Sequence, residues 1–232
     1  MHSLKSLGLH WDGEVLLQSQ RLEAYEAALE ALRGRELLYP CYCSRKDTRR
    51  LPYPGTCRNK SLLTNKQHAL RIRVDKGEAG LVDLLRGDYV QDIAKESGDF
   101  IVRRADSIYA YHLAAVVDDA FQGVSHVVRG SDLLGSGPAQ VFLQGELGLT
   151  RPAYLHLPVV LGKDGRKMSK TEGAENILDL LSPQQVLTRA LDFLGQSPES
   201  FPPTADVKVI LQWAVGKWNR ERIPRGSSYV EL

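Results

Sequence analysis

Gly162-Lys163-Asp164-Gly165-Arg166-Lys167-Met168-Ser169-Lys170-Thr171-Glu172-Gly173 is the stretch from which the fold of this chain is read. Four cations lie between Gly162 and Lys170, and glycines at 162, 165 and 173 free the backbone for turns. The stretch therefore reads as a cationic loop. Immediately before it, Tyr154-Leu155-His156-Leu157-Pro158-Val159-Val160-Leu161 is rich in β-formers and predicts a buried strand that delivers the loop to one end of a sheet. In open α/β sheets ligands bind at such ends.

Working back from the loop, strands alternate with helices of about a dozen residues, the pattern of crossover units and a parallel sheet. The expected elements are a strand over 99–104, a helix over 109–121, a strand over 125–129 and a helix over 138–147. Nearer the start, Glu14 to Ser19 predicts a strand, and Leu22, Tyr25, Leu29 and Leu32 recur at helical spacing. Ala69 to Val74 alternates as a half-buried strand, Gly77 and Gly80 punctuate the residues after it, and Lys95 to Gly98 reads as a polar return linker. Beyond the loop the pattern turns helical, over 183–194 and 207–215. Asp118 and Asp119 point in different directions on a helix, which suits capping or ion pairing better than a catalytic pair.

Between the first helix and the alternating strand lie all three cysteines, Cys41, Cys43 and Cys57. Thiolates from a Cys-x-Cys turn and a later Pro-Gly turn make three corners of a tetrahedral zinc site, which stabilises a segment too small to hold a core of its own. Tyr53, Asp47 and His68 are each able to fill the fourth corner. The same region carries Arg45, Lys46, Arg49, Arg50, Arg58 and Lys60, which read either as a solvated face or as a phosphate-tracking surface.

Composition sets the outer limits. The 232 residues are 43% hydrophobic and 25% charged, ordinary for a globular protein, and the net charge of +2 does not by itself mark a nucleic-acid binder. No apolar run approaches the roughly 18 residues of a membrane span, and the first residues lack the apolar core of a signal peptide. A cytoplasmic protein without membrane partners is expected. An odd cysteine count suits metal ligation better than a disulfide framework.

Lys167-Met168-Ser169-Lys170 matches the KMSK signature of class I aminoacyl-tRNA synthetases. Taken with LGLHWDGEV, CYCSR, YPGTCR, VVDDAFQGVSHVVRGSDLL and HLPVVLGKDGRKMSK, in that order along nearly the whole chain, it resembles the glutamyl-tRNA synthetase superfamily, most closely its small glutamyl-Q tRNA(Asp) synthetase branch. The resemblance implies an α/β fold: a class I, Rossmann-type parallel sheet with a zinc-bearing insertion and a C-terminal helical region. The expected division is 1–40 and 99–162 for the two parts of the catalytic domain, 41–98 for the insertion, and 163–232 for the KMSK loop and helices. It further implies a monomer that activates L-glutamate with ATP and Mg2+ and transfers it to the queuosine base of tRNA(Asp).

Carried over by position, the resemblance implies Cys41, Cys43, Tyr53 and Cys57 as ligands of one Zn2+, Tyr111 and Arg129 as glutamate contacts, Lys170 as an ATP contact, and Lys167 with Lys170 as catalytic cations. A guanidinium can hold a carboxylate through two parallel hydrogen bonds, and ammonium groups lower a barrier where phosphate charge develops. Two departures stand out: Ala139 where relatives often carry a basic residue, and no first strand or HIGH-type segment before Met1. The second leads to the expectation that the chain begins late and that its activity is impaired as given. The alternatives are a fragment of a synthetase that charges tRNA(Glu), and a non-catalytic zinc- and RNA-binding remnant.

Overall fold

The structure, a computed structural model, describes residues 2–44, 46–48, 52–61, 63, 66–75, 77–162, 165, 167–168, 177–197, 201–202, 205–226 and 228–229. In chain order its elements are α1 His2–Ser6, α2 Leu22–Gly34, β1 Leu38–Cys41, β2 Ala69–Ile72, β3 Glu78–Asp83, β4 Gly87–Asp92, α3 Ile93–Glu96, β5 Phe100–Arg103, α4 Tyr111–Phe121, β6 His126–Gly130, α5 Gly137–Leu147, β7 Ala153–Leu157, β8 Val160–Leu161, α6 Ile177–Leu180, α7 Pro183–Phe193, α8 Val207–Lys217 and β9 Ser228–Tyr229. They fall into two compact units, one of Leu16–Val127 and Leu133–Leu155, the other of Met1–Val15, Val128–Asp132 and His156–Leu232.

In the first unit, Tyr25, Leu29 and Leu32 are the buried residues of α2, and Leu29 and Leu32 pack with Leu70, Ile72, Val102, Leu113, Val116 and Leu143. Asp118 of α4, itself buried, accepts hydrogen bonds from Arg21 Nε (3.0 Å), Gln18 Nε2 (3.1 Å) and Tyr25 Oη (2.7 Å), tying α2 to α4. Burial and the Asp118 carboxylate push the Tyr25 phenol up to about 12.

This unit carries an antiparallel sheet in the order β1-β2-β5, and a hairpin of β3 with β4 in which β3 also pairs in parallel with β7 at Asp83↔Tyr154. The α/β class is as expected, with a mixed sheet in place of an all-parallel one. The β1–β2 register sets Cys41 opposite Ala69 and Tyr39 opposite Arg71. Side chains alternate along each strand, so these four residues point to one face, with Cys41 and Arg71 diagonal neighbours.

In the other unit, α7 starts with a capping box. Ser182 Oγ accepts from the Gln185 N–H, the Gln185 side chain accepts from the Ser182 N–H, and Pro183 sits at the first helical position. Leu187 and Leu191 of α7 pack on Ile210 and Ala214 of α8.

Four local expectations are corrected. Glu14 to Ser19 is not a strand; a 3-10 turn runs over Gln18–Gln20, and Val15 and Leu17 remain 47% and 49% exposed, so the alternation has no sheet to serve. The stretch after Gly77 is a hairpin, β3–β4, in which Gly80 fits because a Cβ there would stand 2.7 Å from Val90 Cγ2. Residues 93–96 form one helical turn in place of the first half of the linker, capped by Asp92, whose Oδ1 accepts from the Lys95 N–H at 3.2 Å. The strand before the KMSK loop is two strands, β7 and β8, broken at Pro158, which has no N–H to donate.

Candidate functional site

Cys41 ends β1, Cys43 lies two residues on, and Cys57 arrives from the turn at Gly55, whose φ is +73°. Their sulfur atoms all lie within 4.8 Å of one another. Tyr53 Oη stands 3.4 Å from both Cys41 Sγ and Cys43 Sγ, and Cys43 Sγ stands 3.6 Å from Cys57 Sγ. The Cys57 N–H donates to Tyr53 Oη at 3.2 Å, which keeps the phenol oxygen turned toward the sulfurs. A tetrahedral zinc with bonds of about 2.3 Å to sulfur and about 2 Å to oxygen has edges of roughly 3.5–3.8 Å, so this donor set fits the ion. Asp47 and His68 point elsewhere: Asp47 accepts from Ser44, and His68 Nδ1 meets the Lys66 carbonyl at 3.1 Å.

Asp99, whose side chain is fully buried, ties together residues next to the donors in the chain, Arg58 after Cys57 and Tyr39 before Cys41. It accepts from Arg58 Nε and Nη2, both at 2.6 Å, from the Val74 N–H at 2.8 Å and from Tyr39 Oη. Burial works against its charge, but these donors, Arg58 foremost, hold the carboxyl below its ordinary range. Next to it, Gly98 (φ +64°) lies so close to Tyr53 that a Cβ would come 2.5 Å from the Tyr53 carbonyl oxygen. Tyr53 N–H donates to the Ser97 carbonyl at 3.1 Å. Burial pushes the Cys43 thiol and the Tyr53 phenol up. At Cys57 burial also pushes upward, but hydrogen bonds from the Tyr42 backbone and the surrounding donors outweigh it and bring the thiol to about 7.

The other expected residues are distributed between the units. Tyr111, half exposed, is the first residue of α4 in the first unit. Arg129, on β6 in the other unit, donates from Nε to His156 Nε2 at 2.9 Å, and His156, on β7, is fully buried. As the acceptor, Nε2 carries no proton, so the imidazole is neutral with its hydrogen on Nδ1. In the same unit Lys167 Nζ pairs with Asp132 Oδ2 at 2.8 Å, with side-chain exposures of 40% and 35%. Gly130 makes room for that carboxylate, since a Cβ there would stand 2.4 Å from Asp132 Oδ1. Lys170 lies outside the described residues.

His156 and Asp132 were not singled out from sequence, although a lone histidine within an apolar strand and an acid two residues after a strand-end glycine were visible signals.

The family of class I tRNA synthetases (E and Q), catalytic domain, matches residues 1–200. Glutamyl-Q tRNA(Asp) synthetase of Thiobacillus denitrificans is 42% identical over 97% of this chain and 77% of its own length. The enzyme of the same name from Pseudomonas fluorescens is 41% identical over 100% of this chain and 78% of its own. Among solved structures, a glutamate-tRNA synthetase from Elizabethkingia anophelis superposes on all of this chain with a TM-score of 0.76 at 17% identity. A glutamate tRNA ligase from Elizabethkingia meningosepticum, in complex with its amino acid, does so at 0.75 and 17%. The chain spans 57% and 56% of those two proteins, and at that identity they establish the fold. Family match, identity and fold agree: the chain belongs to the glutamyl-Q tRNA(Asp) synthetase family of class I aminoacyl-tRNA ligases.

Proposed function

We propose that this protein activates L-glutamate with ATP and transfers the glutamyl group to the queuosine base of tRNA(Asp). The observation that carries the reading is the 41–42% identity to glutamyl-Q tRNA(Asp) synthetases over 97–100% of the chain. In the first step the glutamate carboxylate attacks the α-phosphorus of ATP and pyrophosphate leaves; in the second the acyl group passes to the RNA and AMP leaves. Arg129, with its Nε anchored on His156, and Tyr111 hold glutamate. Lys167 and Lys170 are the cations assigned to the ATP phosphates, whose developing charge they would stabilise, with Mg2+ accompanying the nucleotide. The Lys167–Asp132 pair is solvent-exposed on both sides, so it contributes little and exchanges readily for a phosphate.

One Zn2+ per chain, held by Cys41, Cys43, Tyr53 and Cys57, crosslinks the insertion. The protein acts as a cytoplasmic monomer; among the described residues no helix is long and apolar enough to cross a membrane.

Radiolabelled glutamate offered with tRNA(Asp) carrying queuosine, tRNA(Asp) lacking it, and tRNA(Glu) tests the reading. Charging of the first alone is expected. Charging of tRNA(Glu) would place the protein with the synthetases of ordinary translation. Charging of none, with no glutamate-dependent exchange of pyrophosphate into ATP but retained binding of ATP and glutamate, would mean impaired activity, and loss of that binding too would favour a zinc- and RNA-binding role.

A further inference from the structure

Among the described residues Arg71 is the only buried lysine or arginine, at 5% exposure. A guanidinium taken out of water needs an anionic partner, yet no carboxylate pairs with it among the described residues. Its Nε donates to Cys41 Sγ at 3.2 Å, its Nη1 donates to the Asp99 backbone carbonyl at 2.6 Å, and its plane lies over the Tyr53 ring at 3.8 Å. The nearby Asp99 carboxylate is engaged by Arg58. Two of the three groups that Arg71 touches are thus donors of the cysteine and tyrosine cluster.

We infer that Arg71 is a positioning residue of the metal centre, its guanidinium hydrogen-bonding the Cys41 thiolate and stacking on Tyr53 so that its charge offsets half of the excess negative charge of the ligand set. The inference rests on the proposed ligation of Zn2+ by Cys41, Cys43, Tyr53 and Cys57. Three thiolates and a phenolate outweigh one divalent cation by two negative charges, and a buried centre of that kind needs a cation beside it. Arginine suits the place because a single planar group can donate in its plane to sulfur while its face covers the ring. Lysine, a point charge, cannot do both. The Nη1 bond to the Asp99 carbonyl fixes the plane, and the β1–β2 register places Arg71 diagonal to Cys41. Partners of this kind, which orient metal ligands without touching the ion, change metal affinity by roughly 10–100-fold when removed.

Two measurements on the full chain test the inference. In protein loaded with cadmium-113, the Arg71 Nε–H should show a through-bond nuclear magnetic resonance correlation to the metal, relayed across the hydrogen bond to the Cys41 thiolate. This needs no variant, so folding defects cannot obscure it. By competition with a chromophoric chelator, Arg71→Met should bind zinc roughly tenfold more weakly or worse than the parent, and Arg71→Lys should recover part of the loss. Absence of the correlation in cadmium-loaded parent, or zinc affinity of Arg71→Met equal to the parent's, would overturn the role of Arg71. Failure of the parent to take up either metal would instead remove the ligation on which the inference rests.

Discussion

Replacing Arg58 by leucine strips the buried Asp99 carboxylate of its only cationic partner among the described residues. Two charge-assisted hydrogen bonds of 2.6 Å disappear, while those from Val74 and Tyr39 remain. Unit charges about 4 Å apart at an effective dielectric constant near 20 interact by roughly 4 kcal/mol, and breaking a buried pair costs about 3–5 kcal/mol. The Arg58 side chain is 31% exposed, so solvent screens part of this, and about 2–3 kcal/mol is expected. The second ion pair of Arg58, to an Asp75 side chain 60% exposed, adds little.

Because the chain has two compact units, global unfolding need not report this site. Exchange of the Arg73 amide, which donates to the Leu37 carbonyl at 2.8 Å, reports it locally. A cycle of Arg58→Leu, Asp99→Asn and the double variant should give a coupling of about 2 kcal/mol, or roughly 30-fold in protection. A coupling below about 0.5 kcal/mol would refute the assignment of Asp99 and Arg58 as the pair that braces the chain around the cysteine and tyrosine cluster.

The same pair predicts acid sensitivity. A carboxylate whose folded value is depressed contributes fully above its unfolded value of about 3.9 and loses its contribution as pH falls through the folded value. Protection at Arg73 should fall in that window in the parent but not in Asp99→Asn. Zinc uptake should weaken as pH falls, because each ligand must shed a proton, and the dependence should steepen below about pH 7, where Cys57 becomes protonated too. Cys41→Ala combined with Cys43→Ala should leave no zinc in metal analysis. Gly98→Ala should cost at least about 1–2 kcal/mol of local stability from its left-handed backbone alone, and should also weaken zinc binding because the new Cβ displaces Tyr53. His156→Ala, which removes the acceptor for Arg129 Nε, should raise the KM for glutamate about tenfold with kcat little changed, read in steady-state charging.

The readable parts of the chain were those set by local chemistry. The faces of α2 and α7 follow helical spacing, and the gathering of Cys41, Cys43 and Cys57 into one cluster able to hold a metal is legible from their donor atoms and spacing. Arg71 looks in sequence like one member of an alternating strand; that all of β2 is buried comes from packing on both sides. Asp99 reads as the start of a strand, and its partner Arg58 lies 41 residues away, a pairing that no local pattern encodes. The hairpin β3–β4 was hidden because Gly80 reads as a break until Val90 is placed across from it. His156 shows as an apolar-strand histidine, and only the Arg129 contact reveals which nitrogen accepts.

The most direct measurement locates the glutamyl group. tRNA(Asp) carrying queuosine, reacted with the protein, ATP and glutamate, is digested to nucleosides under conditions that spare the ester and analysed by mass spectrometry. The account predicts a glutamyl adduct on the queuosine nucleoside and an unmodified terminal adenosine; glutamate found on the terminal adenosine instead would contradict it.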